Sequence, residues 1–532
     1  MSDKRVYLYD TTLRDGAQTA GVDFGVPDKI AIARELDRLG LDYIEGGWPG
    51  ANPTDDAFFA RLPSLARSKL AAFGMTRRSG RSAANDPGLN ALLVPGVKAV
   101  CLVGKTWDFQ VDVALGIPRG ENIDMISESI VHAATRVGEV LFDAEHFFDG
   151  YKANRAYALD CIEAAYKAGA RWIVLCDTNG GTLPDDVEHI VADAARRVPG
   201  ERLGIHCHND TENAVANSLA AVRAGVRMVQ GTINGLGERC GNANLVSVIP
   251  NLVLKMGYET GVDAAGLRHL THVSRLLDER LNRAPNRHQP YVGESAFAHK
   301  GGLHVSAVER DPRTYEHIDP ELVGNGRHIV VSDQAGRSNV IARLRECGLA
   351  VNPADPRINR LVEEVKEREH KGYTYDGAEA SFELYARRLL DTVPEYFRLA
   401  SFRVIDERRW NARNELITLS EATIKIQVKD KPHIMTVAEG NGPVNALDTA
   451  LRRALITYYP SLATLKLVDY KVRILTPDAG TEAVTRVMIE STDDTGQRWA
   501  TVGVSTNVID ASYNALNDAI TYKIFRDGTA AP

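Results

Sequence analysis

From Arg5 to about residue 270 the chain repeats one pattern: a short apolar run, a polar or glycine-bearing loop, then an amphipathic segment. The apolar runs are Val6 to Tyr9, Tyr43-Ile44, Leu70 to Phe73, Ala99 to Val103, Val140 to Phe142, Trp172 to Leu175, Leu203 to Ile205 and Met228 to Gly231. Stretches such as Asp28 to Leu39 and Asp185 to Arg197 carry helical periodicity between them. Strands that alternate with helices must run parallel, joined by crossovers. Eight such units in about 250 residues match a TIM barrel. An open doubly wound sheet would want a Gly-rich turn after its first strand. Asp10-Thr11-Thr12-Leu13-Arg14-Asp15-Gly16 stands there instead, so the closed (β/α)8 barrel, an α/β fold, is the expected architecture.

Barrel chemistry sits at the C-terminal ends of the strands. Those ends here carry Arg14, Asp15 and Gln18 (strand one), Glu45 (two), Asp143, Glu145 and His146 (five), and Asp177 and Thr178 (six). Strand seven ends in His206 and His208, and strand eight in Asn234 and Gly235 to Asn242. Any one of them serves equally as a turn or cap residue, Asp177 and Thr178 above all. The histidines say more. Side chains along a strand alternate, so His206 and His208 point one way while Ile205 and Cys207 point the other. In a closed barrel strand eight also neighbours strand one, so Asp15, His206, His208 and Asn242 come from three adjacent strand ends. Two imidazoles, a carboxylate and an amide oxygen leave coordination positions open, which suits a catalytic divalent ion of the Zn, Mn or Mg class.

At 532 residues the chain exceeds one compact core. A net charge of −7 argues against a general nucleic-acid or membrane binder, and no apolar run is long enough to span a bilayer. Six cysteines without paired spacing fit a reducing cytoplasm and read as small buried hydrophobes. Beyond the barrel come a helix from Gly266 to Arg283, a Pro-rich basic loop to Pro290, and Phe297-Ala298-His299-Lys300-Gly301-Gly302-Leu303-His304. Helices are expected over 338–350, 357–370 and 378–391. From about 397 to 527 a layout of two strands and a helix occurs twice, with helices over 444–456 and 507–520. The expected division is therefore a barrel (1–270), helical linker subdomains (271–393) and a C-terminal α+β domain (394–532). This last domain has internal pseudo-symmetry and no catalytic cluster, so pairing or small-ligand regulation is its expected role.

Three motifs, Leu13-Arg14-Asp15-Gly16-Ala17-Gln18, His206-Cys207-His208-Asn209-Asp210 and Gly237-Glu238-Arg239-Cys240-Gly241-Asn242-Ala243, resemble those of the Claisen-condensing synthases of the metallolyase TIM-barrel superfamily. These are the 2-isopropylmalate, homocitrate and citramalate synthases, and the resemblance runs essentially end to end. It implies a divalent metal (Mg, Mn or Zn) on Asp15, His206, His208 and Asn242, chelated by the ketone and carboxylate of a 2-oxo acid. It places Arg14 at the ketone oxygen that becomes an alkoxide, Thr178 at the substrate carboxylate, and Gln18 and Glu45 among the substrate-binding residues. It further implies that His304 is the catalytic histidine for deprotonating acetyl-CoA, with Glu145 essential to the same site and Tyr315 orienting it. His146, His288 and His299 read as ordinary histidines. The family is commonly dimeric, and a homodimer is expected.

Departures from the isopropylmalate pattern at Glu212, Glu45-Gly46-Gly47-Trp48-Pro49-Gly50, Gly104-Lys105-Thr106-Trp107-Asp108-Phe109 and the stretch from Phe142 to Gly150 look like the citramalate branch, whose oxo acid is pyruvate. On that reading the product serves isoleucine biosynthesis, and isoleucine is the expected feedback effector through residues 397–527. The rival is the same chemistry on 2-oxoisovalerate, since a pocket distinguishes one methylene by only about 1–3 kcal/mol. Retro-aldol cleavage on the same barrel and a catalytically dead metal-dependent sensor are the other classes weighed. The C-terminal domain counts against the first, and intact Arg14, Asp15, Glu145, His206 and His208 against the second.

Overall fold

The computed structural model describes residues 4–529 except 282, 284, 300–301, 330–336, 350–351, 353–354, 376, 391 and 430. Lys300 and Gly301, in the stretch ahead of His304, and Ala350, at the end of an expected helix, lie outside the described residues. Eight strands close a barrel: β1 (Tyr7–Asp10), β2 (Tyr43–Gly47), β3 (Lys69–Met75), β4 (Ala99–Lys105), β5 (Glu139–Glu145), β6 (Trp172–Asp177), β7 (Leu203–Cys207) and β8 (Met228–Gly231). Every neighbouring pair is parallel, and β1 closes the ring on β8 with Tyr9 opposite Gln230. β4 to β7 run on past the apolar stretches that announce them, because polar residues such as Asp143, Glu145 and Asp177 keep the ladder at the barrel mouth.

Alternation sorts each strand into two layers. Tyr9, Tyr43, Phe73, Cys101, Leu141, Trp172, Val174 and Met228 fill the barrel interior. Their neighbours Leu8, Ile44, Leu70, Val100, Phe142, Ile173 and Ile205 pack outward against the helical ring. Ile205 and Cys207 belong to the outer layer, which turns His206 inward. The buried rings also satisfy their polar ends: Trp172 Nε1 donates to Tyr43 Oη at 3.1 Å, and Tyr43 donates to Glu139 at 2.7 Å.

The chain divides into two compact units, Met1–Phe297 with Ile318–Arg327, and Ala298–His317 with His328–Pro532. Within the second, the helices Arg337–Glu346, Pro356–His370 and Glu379–Leu389 share a core of Leu344, Ile358, Leu361, Val365 and Phe382. Two antiparallel three-stranded sheets follow, Arg398–Trp410, Leu416–Gln427 and Ile434–Gly440, then Lys466–Ile474, Thr485–Thr492 and Arg498–Ser505. Each sheet leads into a helix, Pro443–Leu455 and Val508–Arg526. The duplication is thus three strands and a helix, where two strands and a helix were expected. The extra strand in each half, Arg398–Trp410 and Lys466–Ile474, is mostly exposed, so no buried face imprints a period-two pattern on it. No helix among the described residues is long and apolar enough to cross a membrane.

Candidate metal centre and active site

Asp15 follows β1 at the first residue of a tight turn, where Gln18 N–H donates to its carbonyl at 2.9 Å. Asp15, His206 and His208 are all buried and offer ligand atoms within 4.8 Å of one another. His206 Nε2 lies 3.3 Å from Asp15 Oδ2, and the two imidazole centroids are 5.1 Å apart. The fourth expected ligand arrives by backbone pairing. The loop after β8 folds back on the end of β7, so that His208 and Asn242 form a β-bridge, Asn209 N–H donates to Gly241 carbonyl at 2.8 Å and Ala243 N–H to Cys207 carbonyl at 2.9 Å. Gly241 makes this turn possible. Its φ is +90°, and a Cβ there would sit 2.0 Å from the Gly235 carbonyl oxygen.

Buried polar atoms are nearly always paired. Yet Asp15 Oδ1, His208 Nδ1 and both amide atoms of Asn242 have no hydrogen-bond partner among the described residues. All four belong to the ligand set that strand adjacency picks out. That donor set, two imidazoles, one carboxylate and one amide oxygen, fits a divalent ion.

The network behind His206 sets its tautomer. Gln230 Nε2 donates to Asp143 Oδ1 at 2.9 Å, which leaves Gln230 Oε1 as the acceptor for His206 Nδ1–H at 2.8 Å. Nε2 is then the ring nitrogen left to face Asp15 and to serve a metal, the usual outer-sphere arrangement of a metal-bound histidine. Sequence reasoning missed Gln230. The signal was there: a polar residue at an inward position of a strand is out of place unless it supports something.

Electrostatics follow from burial and neighbours. Burial works to raise the Asp15 carboxyl, but the Arg14 charge and the His206 hydrogen bond outweigh it and hold it well below the usual carboxylate range. Burial works to lower His206, and the hydrogen bond and charge of Asp15 more than reverse that. His208 is pushed down to about 3, by burial first and then by the charge of His206, so it is neutral at neutral pH.

Arg14 is held on three sides. Its Nε donates to Glu45 Oε2 at 2.6 Å, Nη1 lies 3.6 Å from Asp15, and its guanidinium stacks 3.8 Å from the Phe73 ring centroid. Burial disfavours its charge, but the Glu45 and Asp15 carboxylates more than compensate, and it stays protonated. Glu45 is fully buried with both oxygens engaged, the second by Tyr9 Oη–H at 2.8 Å. Thr178, half-buried at the end of β6, accepts from His146 N–H at 2.8 Å, so its own hydroxyl hydrogen points elsewhere. Gln18 is exposed.

Glu145 ends β5 beside its register partner Lys105 on β4, with Nζ to Oε2 at 2.5 Å. Both line a cavity of about 270 Å³ whose walls include Trp48, Arg77, Val103 and Asn122. His146, expected to be ordinary, is buried with φ at +57°, and its Nδ1 has no hydrogen bond among the described residues. His299 does behave as an ordinary buried histidine, with Nε2 3.1 Å from Glu316. Of the cysteines, Cys101, Cys161, Cys176 and Cys207 are buried as expected, whereas Cys240 in the loop after β8 is exposed. His304 and Tyr315 lie in the second unit, both exposed, with ring centroids 4.2 Å apart.

Residues 5–274 match the HMGL-like family, residues 291–372 the homocitrate synthase post-HMGL domain-like family, and residues 376–524 the LeuA allosteric (dimerisation) domain. The (R)-citramalate synthase of Aquifex aeolicus is 50% identical over 98% of this chain and 98% of its own length. That of Geobacter sulfurreducens is 52% identical with the same coverage. A 2-isopropylmalate synthase of Pyrococcus furiosus is 31% identical over 97% of this chain and 99% of its own. A polar barrel mouth built around Asp15, His206 and His208, a matching post-barrel segment and a matching dimerisation domain thus occur in one chain, which belongs to the (R)-citramalate synthase family of HMGL-like acyltransferases.

Proposed function

We propose that the protein joins acetyl-CoA to pyruvate in a Claisen-type condensation, hydrolyses the thioester and releases (R)-citramalate and CoA, in the service of isoleucine biosynthesis in the cytoplasm. The observation that carries this reading is the cluster of unpartnered donor atoms on Asp15, His208 and Asn242 beside the oriented Nε2 of His206. A divalent ion of the Mg, Mn or Zn class held by those four residues would supply Lewis acidity at the ketone oxygen of the oxo acid.

The chain's own residues do the rest. Arg14, kept charged and aimed by Glu45 and Phe73, stabilises the alkoxide that the ketone oxygen becomes. Glu45 has no free oxygen for substrate, so its part is to orient Arg14. Thr178 donates its hydroxyl hydrogen to the substrate carboxylate, because His146 N–H already occupies its acceptor side. Gln18, exposed at the end of the turn that carries Asp15, takes part in binding substrate, which rests on its match to the family's residue.

Condensation requires removal of a proton from the acetyl methyl group. His304 takes the role of base and Tyr315 orients it, which rests on their match to the family's residues. Glu145 lines the 270 Å³ cavity, held there by Lys105, and acts in the same step. The barrel thus forms a catalytic region (1–270), residues 271–393 a linker that brings the histidine, and residues 394–532 a regulatory homodimerisation module for which isoleucine is the effector.

A thiol-release assay with both oxo acids tests the reading. Pyruvate should be turned over faster than 2-oxoisovalerate, and equal or greater turnover of 2-oxoisovalerate would overturn the choice of acceptor. A protein ending near Val393 that kept both activity and isoleucine sensitivity would overturn the regulatory assignment.

A further inference from the structure

A second group of side chains able to ligate a metal lies on the outer wall of the barrel, between the helix Val26–Leu39 that follows β1 and the helix Ala264–Arg280, which comes after Leu245–Pro250 beyond β8. We infer that Glu35, His269 and His272 form a separate binding site for a transition-metal ion of the zinc class, which staples the first and last βα units across the seam where the barrel closes.

The geometry is that of ligands short of an ion. His269 and His272 are three residues apart on one helix and so share a face. Their rings stack with centroids 4.6 Å apart, and each turns Nε2 to the same oxygen, Glu35 Oε2, at 2.6 and 3.8 Å. Ligand atoms around a tetrahedral ion with bonds of about 2.1 Å sit ~3.4 Å apart, so the two observed separations bracket the required one. Arg38 Nη1 lies 3.1 Å from Oε1 and donates to Oε2 at 3.3 Å, a forked contact that holds the carboxylate in place, and Oε2 is the oxygen both imidazoles face. Two nitrogens and one oxygen select zinc, nickel or copper over magnesium or calcium, which take mostly oxygen ligands.

The spacing of the two helices is fixed independently of the cluster. A Cβ on Gly266 would lie 2.2 Å from the Leu39 carbonyl oxygen, and one on Gly261 2.2 Å from that of Gly40, so the backbones touch at one end of the pair. Ligand side chains carried by helices already locked together need little reorganisation on binding. Without metal, His269 Nε2 and Glu35 Oε2 are joined by a 2.6 Å hydrogen bond; an ion bound at Nε2 would take the place of its proton, which leaves to solvent. The site is distinct from the one at the barrel mouth, with which it shares no residue.

Full-length protein stripped with a chelator and titrated with Zn²⁺ alone provides the test. The expected result is two equivalents bound per chain and a rise in the thermal midpoint. H269A/H272A should bind one equivalent, lose the part of the thermal shift due to the outer site, and keep pyruvate turnover within about twofold of the parent. Glu35→Gln retains the shape and hydrogen-bonding capacity of the side chain and should weaken the outer site at least about tenfold, a second readout if the double variant folds poorly. D15N should keep the outer equivalent and its thermal shift. Unchanged zinc stoichiometry in H269A/H272A together with unchanged affinity in E35Q, or a single equivalent that D15N abolishes, would overturn the inference.

Discussion

At the barrel mouth the groups left without partners are polar and buried; on the two C-terminal sheets they are apolar and exposed. Asp15 Oδ1, His208 Nδ1 and the Asn242 amide sit in the protein interior with no hydrogen bond among the described residues. Trp410, Met435 and Val437 on one sheet and Val472 and Ile474 on the other are large hydrophobic side chains between 46% and 69% exposed. Each arrangement costs stability in an isolated chain, the first through desolvated donors and acceptors and the second through apolar surface left in water. The first is relieved by something small and charged that fits among side chains. The second is relieved only by another surface, as the match of residues 376–524 to a dimerisation domain leads one to expect. One chain therefore carries two kinds of incompleteness, and each kind names the size of its partner.

The largest effect should come from the barrel. On the proposed reading, Asp15→Asn removes the charge and His208→Ala the imidazole of a metal ligand, and the ion's electrostatic contribution is several kcal/mol, so turnover should fall about 10³-fold or more. Circular dichroism and sedimentation should stay those of the parent. If both variants remain fully active, the polar cluster is not the catalytic centre and the contrast between the two regions loses its first half.

Gln230 comes next. Replacing it with Met removes the acceptor that fixes the His206 tautomer and leaves Asp143 without its amide. Metal affinity, read by chelator competition, should drop about 10–100-fold, the range usual for outer-sphere partners. Unchanged affinity would show that Asp15 alone aligns the imidazole.

Gln230 also marks the limit of what the letters reveal. The two histidines were legible because period two places them on one side of a strand, and barrel closure then brought Asp15 and Asn242 to them without any contact being known. The support beneath them was not, because Gln230 sits inside Met228-Val229-Gln230-Gly231 and reads as one polar residue in an apolar run. Its meaning depends on Asp143, 87 residues away. The same holds for Glu45, whose two oxygens are taken by Tyr9 on the neighbouring strand and Arg14 in the loop after it, a fact invisible to spacing. The outer strands Arg398–Trp410 and Lys466–Ile474 were missed for the opposite reason: they are held by ladder hydrogen bonds, which leave no trace in hydropathy.

The C-terminal region should respond to a different change. Ile474→Lys places a charge among exposed apolar side chains and should weaken self-association by about tenfold or more, measured by sedimentation, if that residue lies at the centre of a dimer contact. The metal site should be untouched. Loss of metal affinity in this variant would mean the two regions are coupled more tightly than their separate chemistries suggest.

The smallest effect, and the most direct comparison, is in pH. Asp10 in the barrel is raised to about 7, by burial against the weaker opposing hydrogen bonds of Thr12. Asp493 in the C-terminal region is lowered to about 2; burial opposes that shift, and Thr495 and Lys523 win. The signs of their linkage are opposite. A carboxyl raised on folding stabilises the protein fully below its unfolded value, near 4, and that contribution disappears as pH climbs through 7. A carboxyl lowered on folding stabilises above about 4 and loses its contribution as pH falls toward 2. One proton changes stability by at most about 1.4 kcal/mol per pH unit. Urea unfolding across pH 2.5–8 should therefore show the Asp10→Asn protein losing less stability than the parent between pH 5 and 8, and the Asp493→Asn protein losing less than the parent between pH 4 and 2.5. Profiles parallel to the parent in both windows would mean that neither carboxyl feels its surroundings as described. A single parallel profile would locate the error in one region, because the barrel carboxyl is shifted by what it lacks and the C-terminal one by what it has.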